Sequence, residues 1–477
     1  MNQLEQLSYQ VPTRDRSRSQ FGTRDSDRSR NLRTRSLSPT EFYRSQRERI
    51  DMIHNKVYEM NTFIYLGIEK FLDKQAVRNL IIEYDNDNIF VEGEEKFYSE
   101  IPFSFKFEPI DVAIFGGGII GSSIAYFLKA QNPSGIQVKV YERDPTYRTA
   151  STPLSVGGIR QQWEHEENIA MSLFSSRFIQ NAHKHLSVAH NHTPDLGFHN
   201  RGYLTLANQS VAEQTIRNHR KQLELGAQIE LLTAKQIKQK FPYINTDGVE
   251  CATFGLMNEG WLDPWSLLSA FKSKAQSLGV EYVEGEVVQF ALRNDGQLDR
   301  CNEATIRQKG ELNQIQFNNG ILCFGWNSVD YHGEYCRPEG ENFLCGRSPT
   351  ENDDDNNDNG SDESINLEVD YSYFDQTVYP LLAERIPAFE AIKLKSSWAG
   401  YYDYCRLDQN PIIGHDPYYS NLIWAAGFSG HGIQMSPAVG RAVAELILDG
   451  RYRSIDLSRF GWHRVMNNAP LSHDNCV

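Results

Sequence analysis

Three glycines near residue 116 have the spacing of a phosphate-binding loop. Gly116, Gly118 and Gly121 directly follow the apolar run DVAIF and precede the helix-like SSIAYFLKAQ. In such a loop the first glycine permits a tight turn, the second lets the backbone approach a pyrophosphate, and the third lets the helix pack on the sheet. Glu142 ends the next strand-like run, where a carboxylate can accept hydrogen bonds from ribose hydroxyls. These residues predict a dinucleotide site that favours FAD or NAD over NADP, because an acid disfavours a 2′-phosphate.

A second glycine-rich turn, GFSGHG at residues 427–432, lies between the strand-like LIWAAG and the helix-like AVGRAVAELIL. Gly427, Gly430 and Gly432 would let this backbone come close to a ligand. The free N–H groups and positive dipole end of the following helix suit the negative charge of a reduced flavin ring. His431 could add a hydrogen bond to the same ring, or it could have a structural role alone. The turn therefore favours FAD over NAD.

The elements that must position these residues begin with a βαβ unit, in which DVAIF, the glycine loop, SSIAYFLKAQ and QVKVYERD follow one another. The loop after it, ERDPTYRTASTPLSVGG, is rich in hydroxyl groups and glycine and can pass under a flavin ring. It adds four predicted cofactor-binding residues, Arg143, Ser151, Thr152 and Gly157. Later runs predict strands at RGYLTLA and VEYVEGEVVQFAL and helices at SVAEQTIRNHRKQLELG and PWSLLSAFKSKAQSLG. The fold class is therefore α/β, with an α+β character overall.

Composition argues against several function classes. The 477 residues carry a formal net charge of −14, which argues against a nucleic-acid partner. The seven cysteines include no CxxC pair, which argues against a zinc site or a disulfide framework. The most apolar run, which starts at Asp111, is too short and too interrupted by glycine and serine for a transmembrane segment. The acidic run 351–364 lacks the pattern of a calcium loop, so we expect a solvated loop and no metal site.

The first 105 residues differ from the rest of the sequence. Residues 1–50 are rich in arginine and serine with almost no aliphatic side chains, which predicts a disordered extension. Leaders of this kind also direct proteins to mitochondria, but those avoid the acids present here, so a transit peptide and a plain basic tail both stay open. Residues 50–84 have apolar residues at helical spacing and predict one or two helices.

Several motifs together resemble one known family of flavoenzymes. IFGGGIIGSSIAYFL, LSVGGIRQQW, EGWLDPW, GRSPTE, WAGYYDYCRLDQNPIIG and GFSGHGIQMSPAVGRAVAEL are similar to segments of the FAD-dependent oxidoreductases of the D-amino-acid oxidase type. That group includes glycine oxidase, sarcosine oxidase and dimethylglycine dehydrogenase. The resemblance covers roughly residues 110–455. It implies a Rossmann-like FAD-binding domain interleaved with a substrate domain built on an antiparallel sheet.

The resemblance divides the chain into segments, with one departure from the family pattern. Between NNGILCFGWNS and VDYHGEYCRPEG the family normally has several dozen more residues, including strands of the substrate sheet. Either an exon is missing from this sequence, or the chain is a reduced relative with an impaired active site. The segments expected are the extension 1–105, FAD-binding 106–200, substrate-domain 201–252, FAD-binding 253–328, substrate-domain 329–398 with the acidic loop 351–364, and FAD-binding 399–460.

The resemblance also implies roles for single residues. The backbone of Val287 is expected to contact adenine, and Asp408, in a DxxPxxG motif, to line the flavin. Arg160 matches an arginine that holds the substrate carboxylate in sarcosine oxidases, and Arg337 matches a strand-end arginine that faces the flavin in several relatives; arginine suits a carboxylate. Each could instead form an ordinary surface ion pair. With His431 at the pyrimidine edge of the flavin, the two arginines make up the predicted catalytic set.

The same likeness implies an enzyme that oxidises a C–N bond of a small amino acid or an N-methylated amine, which would be its small-molecule partner. Leu154 and Tyr401 stand near the positions where some relatives attach FAD covalently, and neither can form that bond, so non-covalent FAD is expected. A mitochondrial member of the family is implicated in the assembly of respiratory complex I. The alternative is therefore a flavin-binding assembly factor for complex I with little or no catalytic activity. It would be located in the mitochondrion, associated with the inner membrane from the matrix side.

Overall fold

The computed structural model describes residues 110–188, 193–291, 300–323, 334–347, 367–401 and 403–471. Every predicted catalytic and cofactor-binding residue lies inside these ranges. Four other predictions lie outside them: the extension 1–105, the helices within 50–84, the family's missing strands after Cys323, and the acidic run 351–364.

The residue types at the helix ends explain several of the helix bounds. The side chain of Asp263 accepts hydrogen bonds from the backbone N–H groups of Trp265 and Ser266, and Pro264 occupies the first helical position, where its missing N–H costs nothing. The longest helix ends at Gly450, whose φ of 69° is the left-handed conformation that glycine adopts readily. The α-helices of the described chain are α1 Ile119–Gln131, α2 Ser151–Leu154, α3 Glu166–Gln180, α4 Ala182–His185, α5 Ala212–Glu224, α6 Ala234–Lys240, α7 Pro264–Ser277, α8 Tyr371–Tyr373, α9 Tyr379–Arg385, α10 Gly432–Asp449 and α11 Trp462–Met466.

The strands of the described chain form one large sheet and three small ones. They are β1 Ile110–Phe115, β2 Val138–Glu142, β3 Gly158–Ile159, β4 His199–Asn200, β5 Leu204–Ala207, β6 Ile229–Thr233, β7 Cys251–Gly255, β8 Gly260–Trp261, β9 Glu281–Glu284, β10 Glu286–Ala291, β11 Glu303–Gln308, β12 Glu311–Leu322, β13 Glu334–Glu339, β14 Asn342–Arg347, β15 Ile412–His415 and β16 Leu422–Ala426. The large sheet has the order β10-β11-β12-β1-β2-β9, with β16 paired to β12 and β15 to β16.

The centre of the large sheet is parallel and buried on both faces. Strands β9, β2, β1, β12 and β16 pair in parallel. Along β1, Val112 and Ile114 belong to the core beneath α1 and α10, whereas Ala113 and Phe115 belong to the core on the other face. Burial on both faces is typical of parallel strands in α/β proteins. The predicted βαβ unit and the α/β fold class are confirmed.

Two helices that are distant in sequence pack closely because small residues face each other. The Ser123 hydroxyl of α1 donates a hydrogen bond to the Ser436 carbonyl oxygen of α10 over 2.7 Å. A Cβ atom added to Gly440 would lie only 2.2 Å from the Ser123 hydroxyl oxygen. Two small residues therefore set the separation of α1 and α10, and with it the separation of the two glycine-rich turns that precede these helices.

The antiparallel strands outside the large sheet form three separate small sheets in the described chain. Two of these, β5-β7-β6 and β13-β14, lie mainly in the predicted substrate-domain segments, whereas β3-β8-β4 lies in segments predicted to bind FAD. The predicted boundary between residues 252 and 253 needs correction, because it cuts β7, which pairs with β5 as far as Phe254 and with β6 as far as Gly255. The substrate-domain segment therefore extends at least to Gly255.

Within the ranges that the structure describes, no helix is long and apolar enough to cross a membrane. The same ranges contain no group of three or more histidine, cysteine or acidic residues arranged to hold a metal ion.

Candidate cofactor and substrate site

The first glycine loop has a backbone that only glycine can adopt at two of its positions. Gly116 has φ +106°, and a Cβ there would lie 2.3 Å from the carbonyl oxygen of Cys323 at the end of β12. A Cβ on Gly121 would lie 2.0 Å from the carbonyl oxygen of Gly116. The first glycine therefore allows the tight turn and the third allows α1 to pack against it, as the spacing predicts.

The N-terminus of α1 is open to a ligand. The helix begins at Ile119, three residues before the predicted SSIAYFLKAQ run, and Gly118 is its N-cap residue. As a glycine, Gly118 has no side chain that could cap the helix, and the first turn of α1 contains no acidic residue. A Cβ on Gly118 would meet only the Thr152 hydroxyl oxygen within 4 Å, at 3.6 Å. The backbone at this position is therefore accessible, and its free N–H groups suit a pyrophosphate.

Glu142 closes the loop from the end of β2. Its carboxylate accepts hydrogen bonds from the backbone N–H groups of Gly117 at 2.8 Å and Asp144 at 2.9 Å. A carboxylate has about four acceptor positions, so it can also accept from ribose hydroxyls. Tyr147 supports the same loop by donating from its hydroxyl to the carbonyl oxygen of Gly117 over 3.0 Å. Tyr147 is fully buried and did not stand out in the sequence.

The loop after β2 contacts the phosphate-binding turn through its hydroxyl groups. Thr152 and Ser151 lie in the short helix α2, and the Thr152 hydroxyl accepts a hydrogen bond from the backbone N–H of Ile119 over 3.3 Å. Gly157 has φ +69°, and a Cβ there would lie 2.0 Å from the carbonyl oxygen of Leu262. Thr152 therefore lies directly at the first turn of α1, and Gly157 lets the chain pass next to the residues before α7.

The predicted adenine end lies beside a cavity of about 360 Å³ near the ends of β2 and β9. Arg143, Glu284 and Arg307 are among its lining residues. Val287 follows on β10, where the pairing with β11 shifts register between Val287 and Gln289. Such an irregularity disrupts the hydrogen-bond ladder locally. Val287 itself pairs with Ile306 and does not line the cavity, so its contact with adenine stays a prediction.

The second glycine turn is held by the segment that crosses it. Gly427, Ser429 and Gly430 all have positive φ, between 48° and 79°. The carboxylate of Asp403 accepts a hydrogen bond from the N–H of Phe428 over 2.9 Å. The carbonyl oxygen of Asp403 accepts another from the N–H of Ser429 over 3.0 Å. Burial raises the pKa of Asp403 to about 6, against the effect of these hydrogen bonds.

The parallel register brings the two glycine turns to one edge of the sheet. Phe115 pairs with Leu322 of β12, and Leu322 pairs with Trp424 of β16. The carboxyl ends of β1 and β16 therefore lie on the same side, separated by one strand. Helix α10, which begins at Gly432 after the N-cap residue His431, has no side-chain cap and no acid in its first turn. Two open helix N-termini thus lie side by side at this edge, where α/β sheets bind ligands.

The structure corrects the role expected for Asp408. Asp408 is 1% exposed, and its carboxylate accepts hydrogen bonds from the Arg464 guanidinium at 2.8 Å and from the N–H of Leu471 at 3.0 Å. A third hydrogen bond comes from the N–H of Asn410 at 3.1 Å. The carboxylate therefore anchors its own loop to the C-terminal segment instead of facing the cofactor. Arg464 lies beyond the region of family resemblance, so the motif alone did not reveal this pairing.

Arg160 and His431 meet at the second turn. Nη2 of Arg160 lies 3.3 Å from Nε2 of His431. Because a guanidinium can only donate, Nε2 must accept, and the imidazole proton is on Nδ1. Burial, and then the positive charge of Arg160, lower the pKa of His431 to about 3. His431 is therefore neutral near pH 7.

Trp163 and Gln434 fix this pair in place. The Arg160 guanidinium carbon lies 4.3 Å from the centre of a Trp163 ring, and the His431 ring packs edge-on to the same side chain at 4.7 Å. The backbone N–H of Arg160 donates to the buried side-chain carbonyl of Gln434 over 2.9 Å. Gln434 thus holds the backbone of Arg160 from α10.

Arg337 reaches the same small sheet from the hairpin β13–β14. Its guanidinium carbon lies 4.9 Å from the centre of the Trp261 ring, and Trp261 of β8 pairs with Gly158 of β3, two residues before Arg160. The Nη1 atom lies 2.8 Å from the Glu339 carboxylate. Nε of Arg337 is buried without a hydrogen-bond partner among the described residues. One donor of Arg337 is therefore available to a ligand.

The sequence did not single out Glu259, whose carboxylate contacts the two residues that follow Arg160. It is fully buried, and its carboxylate accepts hydrogen bonds from the backbone N–H of Gln161 at 2.6 Å and the side-chain amide of Gln162 at 2.8 Å. Burial raises the pKa of Glu259 to about 7, although both hydrogen bonds and the charge of Arg160 oppose the shift. The sequence offered only a weak signal, because EGWLDPW contains two acids, the buried Glu259 and the exposed Asp263 that caps α7.

A family model described as FAD dependent oxidoreductase matches residues 111–326 and 304–446. The two matches cover both glycine turns and the catalytic set. The chain belongs to the FAD-dependent oxidoreductase family.

Relatives and solved structures agree with this family. The FAD-dependent oxidoreductase domain-containing protein 1 of Xenopus laevis is 40% identical over 463 residues, covering 82% of this chain and 91% of the relative. Glycine oxidase of Bacillus subtilis is 24% identical, with 71% and 93% covered. The crystal structure of L-proline dehydrogenase from P. horikoshii has a TM-score of 0.60 at 23% identity, with 76% and 99% covered. The last comparison shows that the fold is shared.

The cofactor of a family member with this architecture is FAD, and the residues present fit it. The accessible backbone at Gly118, the N-terminus of α1 beside Thr152, the N-terminus of α10, and the cavity beside Arg143 supply positions for the pyrophosphate, the flavin and the adenine. FAD as the cofactor of this family confirms the prediction of FAD over NAD.

Non-covalent attachment stays a prediction for this FAD-dependent oxidoreductase. The segments around Leu154 and Tyr401 lie together, since the Trp398 indole N–H donates to the Leu154 carbonyl oxygen over 3.0 Å. Cys405, the nearby residue that could form a covalent bond, is buried, and burial raises the pKa of its thiol. Acid precipitation should release all of the flavin into the supernatant. Yellow colour retained in the pellet would contradict the prediction.

Proposed function

We propose that this chain oxidises the C–N bond of a small amino acid or an N-methylated amine. The observation that carries the proposal is the placement of Arg160, Arg337 and a neutral His431 around the sheet β3-β8-β4, next to the open N-terminus of α10. FAD, when bound, supplies the two-electron acceptor for the C–H bond beside the substrate nitrogen.

Arg337 binds the substrate carboxylate in this proposal. Its buried Nε has no partner among the described residues, and an unsatisfied buried donor costs about 1–3 kcal/mol until a ligand accepts from it. A carboxylate accepts from guanidinium in a two-point geometry. Stacking on Trp261 holds the guanidinium plane in place before the substrate arrives.

Arg160 and His431 orient the part of the substrate that lies away from its carboxylate. The hydrogen bond from Arg160 leaves Nε2 of His431 occupied and the Nδ1 proton on the side of the turn at residues 427–432. Two guanidinium groups repel an ammonium group, so the substrate amine enters in its neutral form. Trp163 and Trp261 shield the site from water on the sides where their rings pack against the arginines.

The names of similar proteins support this substrate class. Glycine oxidase and L-proline dehydrogenase, by name, act on amino acids, and both share this architecture. Their identities to this chain are below 25%, so they leave the specific substrate open.

The experiment is anaerobic mixing of the FAD-loaded chain with a panel of amino acids and N-methylated glycines. A substrate would bleach the absorbance of oxidised flavin. The bleaching rate should increase about tenfold per pH unit below the pKa of the substrate amine, because only the neutral amine reacts. No bleaching by any member of the panel at pH 9 would contradict the proposal.

We retain one alternative, a flavin-binding assembly factor for respiratory complex I with little or no activity. The observation that favours it is the division of the antiparallel strands into sheets of two and three strands in the described chain, where the family has a larger substrate sheet. A chain that binds FAD, shows no bleaching and co-purifies with complex I intermediates would support this alternative.

We also propose a mitochondrial location, associated with the inner membrane from the matrix side. The support is the arginine- and serine-rich composition of residues 1–50, although the acids among them weaken it. Fusing residues 1–50 to a fluorescent reporter tests the location. A reporter that stays in the cytosol would remove this support.

A further inference from the structure

Two cysteines lie directly opposite each other on the hairpin β13–β14. The antiparallel register pairs Cys336 with Cys345, and their sulfur atoms are 2.7 Å apart. Opposite residues of an antiparallel pair have Cα atoms about 4.5–5.5 Å apart, which falls within the range that a disulfide can span. Both thiols are free in the structure.

We propose that Cys336 and Cys345 are a redox-active dithiol that a small disulfide, such as glutathione disulfide, oxidises to a cross-strand disulfide. The proposal does not depend on the proposed function. The other four cysteines of the described chain have no such counterpart across a strand pair, and three of them, Cys251, Cys301 and Cys405, are buried. Cys336 and Cys345 are only half-buried, so a small reagent can reach them.

One thiol of the pair acts as the nucleophile and the other resolves the mixed disulfide. The two sulfur atoms are in hydrogen-bond contact and either thiol can donate, so the donor stabilises its partner as the thiolate, the form that attacks a disulfide. The thiolate attacks one sulfur of the small disulfide and displaces the first small thiol. The second cysteine sulfur then attacks the mixed disulfide and displaces the second small thiol. Two protein thiols lose two electrons and two protons, and one small disulfide becomes two small thiols.

The hairpin connects this pair to the substrate site. Successive residues of a strand point to opposite faces. Cys336 and Cys345 pack against the apolar cluster of Val378, Leu382 and Phe389, whereas Arg337 points the other way onto Trp261. A disulfide across β13 and β14 would therefore restrict the strand that carries Arg337. The oxidation state of the pair controls how firmly Arg337 is held.

The test equilibrates the full FAD-loaded chain in mixtures of reduced and oxidised glutathione, alkylates the remaining thiols in acid and maps peptides by mass. In excess glutathione disulfide we expect a linked peptide joining residues 336 and 345, which reduced glutathione reverses completely. The control Cys251→Ala should form the same link. Two alkylated thiols, or separate glutathione adducts without the link, would overturn the proposal.

Single serine variants stop the reaction at the mixed disulfide. Serine cannot resolve a mixed disulfide, so Cys336→Ser and Cys345→Ser should each keep a stable glutathione adduct at the remaining cysteine, which the wild-type chain converts to the linked peptide. Hydrogen exchange of residues 334–347 should be slower in the oxidised wild-type chain than in the reduced one, and insensitive to glutathione disulfide in Cys336→Ser. The absence of an adduct at the remaining cysteine in both serine variants would overturn the exchange through a mixed disulfide. Exchange that does not change on oxidation would overturn the coupling to Arg337.

Discussion

Among the described residues, Nε of Arg337 is a buried donor without a hydrogen-bond partner, and a substrate carboxylate would satisfy it. Replacing Arg337 with glutamine removes the charge and the two-point geometry. We expect KM for the amino acid that bleaches the flavin to increase about 10- to 200-fold with a smaller change in kcat, since charged hydrogen bonds contribute about 1.5–3 kcal/mol. Lysine at this position keeps the charge but not the fork, and it should lose an intermediate factor.

The matched control for Arg337 is Arg217→Gln. Arg217 forms an exposed ion pair with Glu213 on α5, and such pairs contribute little. Its KM should match that of the wild-type chain. If Arg337→Gln also leaves KM unchanged, Arg337 serves only its ion pair with Glu339.

His431 should stay neutral with its proton on Nδ1 throughout the working pH range. Burial, followed by the charge of Arg160, lowers its pKa to about 3, so no protonation is expected between pH 5 and pH 8. NMR of ¹⁵N-histidine-labelled protein, with the signal assigned by its loss in His431→Gln, gives the tautomer directly. A His431 signal that titrates near pH 6.5 would show that the imidazole is more exposed to water than its packing against Trp163 indicates.

At the scale of elements, substitutions in the strand-to-helix turn before α1 can distinguish effects on ligand binding from effects on folding. Gly118 has φ −64° and space for a methyl group, so Gly118→Ala should change the stability of the chain without FAD by no more than about 0.5 kcal/mol. The methyl group would occupy the approach of the pyrophosphate and weaken FAD binding at least tenfold. Gly121→Ala places its Cβ against the Gly116 carbonyl oxygen, so it should destabilise the chain itself by about 1–3 kcal/mol.

Thermal unfolding with and without FAD, together with titration of the released flavin, measures both effects. Gly248→Ala is the control, because a Cβ there meets no atom within 4 Å. This substitution also replaces a glycine, one with positive φ that lies outside both glycine turns, and it should leave the FAD affinity at the wild-type value. If Gly118→Ala bound FAD as tightly as the wild-type chain, the pyrophosphate would not pass close to this backbone.

Local sequence patterns predicted the elements that depend on neighbours in sequence. The βαβ unit over residues 111–142 follows from an apolar run, a glycine loop and helical spacing, all of which are local. The pairing of β1 with β12 and of β12 with β16 was not predictable, because register depends on contacts across hundreds of residues. The opposition of Cys336 and Cys345 also needs the register, and their spacing of nine residues has no motif.

The site residues also divide into those that local sequence predicts and those that depend on contacts between distant segments. Gly116, Gly121, Gly427 and Gly430 could be predicted because a positive φ or a close contact excludes other residues there. Glu259 and the correction to Asp408 could not be, because each depends on which buried donors surround a carboxylate. A carboxylate in a motif looks the same in sequence whether it faces a ligand or an internal arginine.

At the scale of the whole molecule, one buried ion pair joins the C-terminal segment to the site. Asp408 accepts from Arg464 and from the N–H of Leu471, and Arg464 also donates to the carbonyl oxygens of Asn410 and Pro411. The loop that these bonds hold continues from Asp403, which fixes the turn before α10. The C-terminal helix α11 therefore stabilises the flavin end of the site from a distance.

Breaking this pair on one side should be costly because the other charge stays buried. We expect Asp408→Asn and Arg464→Met each to lower the free energy of unfolding by about 3–5 kcal/mol, measured by urea denaturation. The double variant should lose less than the sum, because it leaves no buried charge. The control Arg459→Ala removes an exposed pair with Glu167 and should cost at most about 1 kcal/mol. Additive losses in the double variant would show that the two side chains act independently.

The same pair gives a pH dependence whose sign follows from the direction of the shift. Burial acts to raise the pKa of Asp408, but the hydrogen bonds from Arg464, Leu471 and Asn410 and the Arg464 charge together lower it below its usual value. Below about pH 4 the unfolded chain therefore binds a proton that the folded chain does not, so this contribution is present above that pH and is lost as the pH falls further. Urea midpoints between pH 3 and pH 6 should decrease more on acidification in the wild-type chain than in Asp408→Asn. Parallel midpoint curves for the two chains would mean that Asp408 titrates alike in the folded and unfolded states, in conflict with its pairing to Arg464.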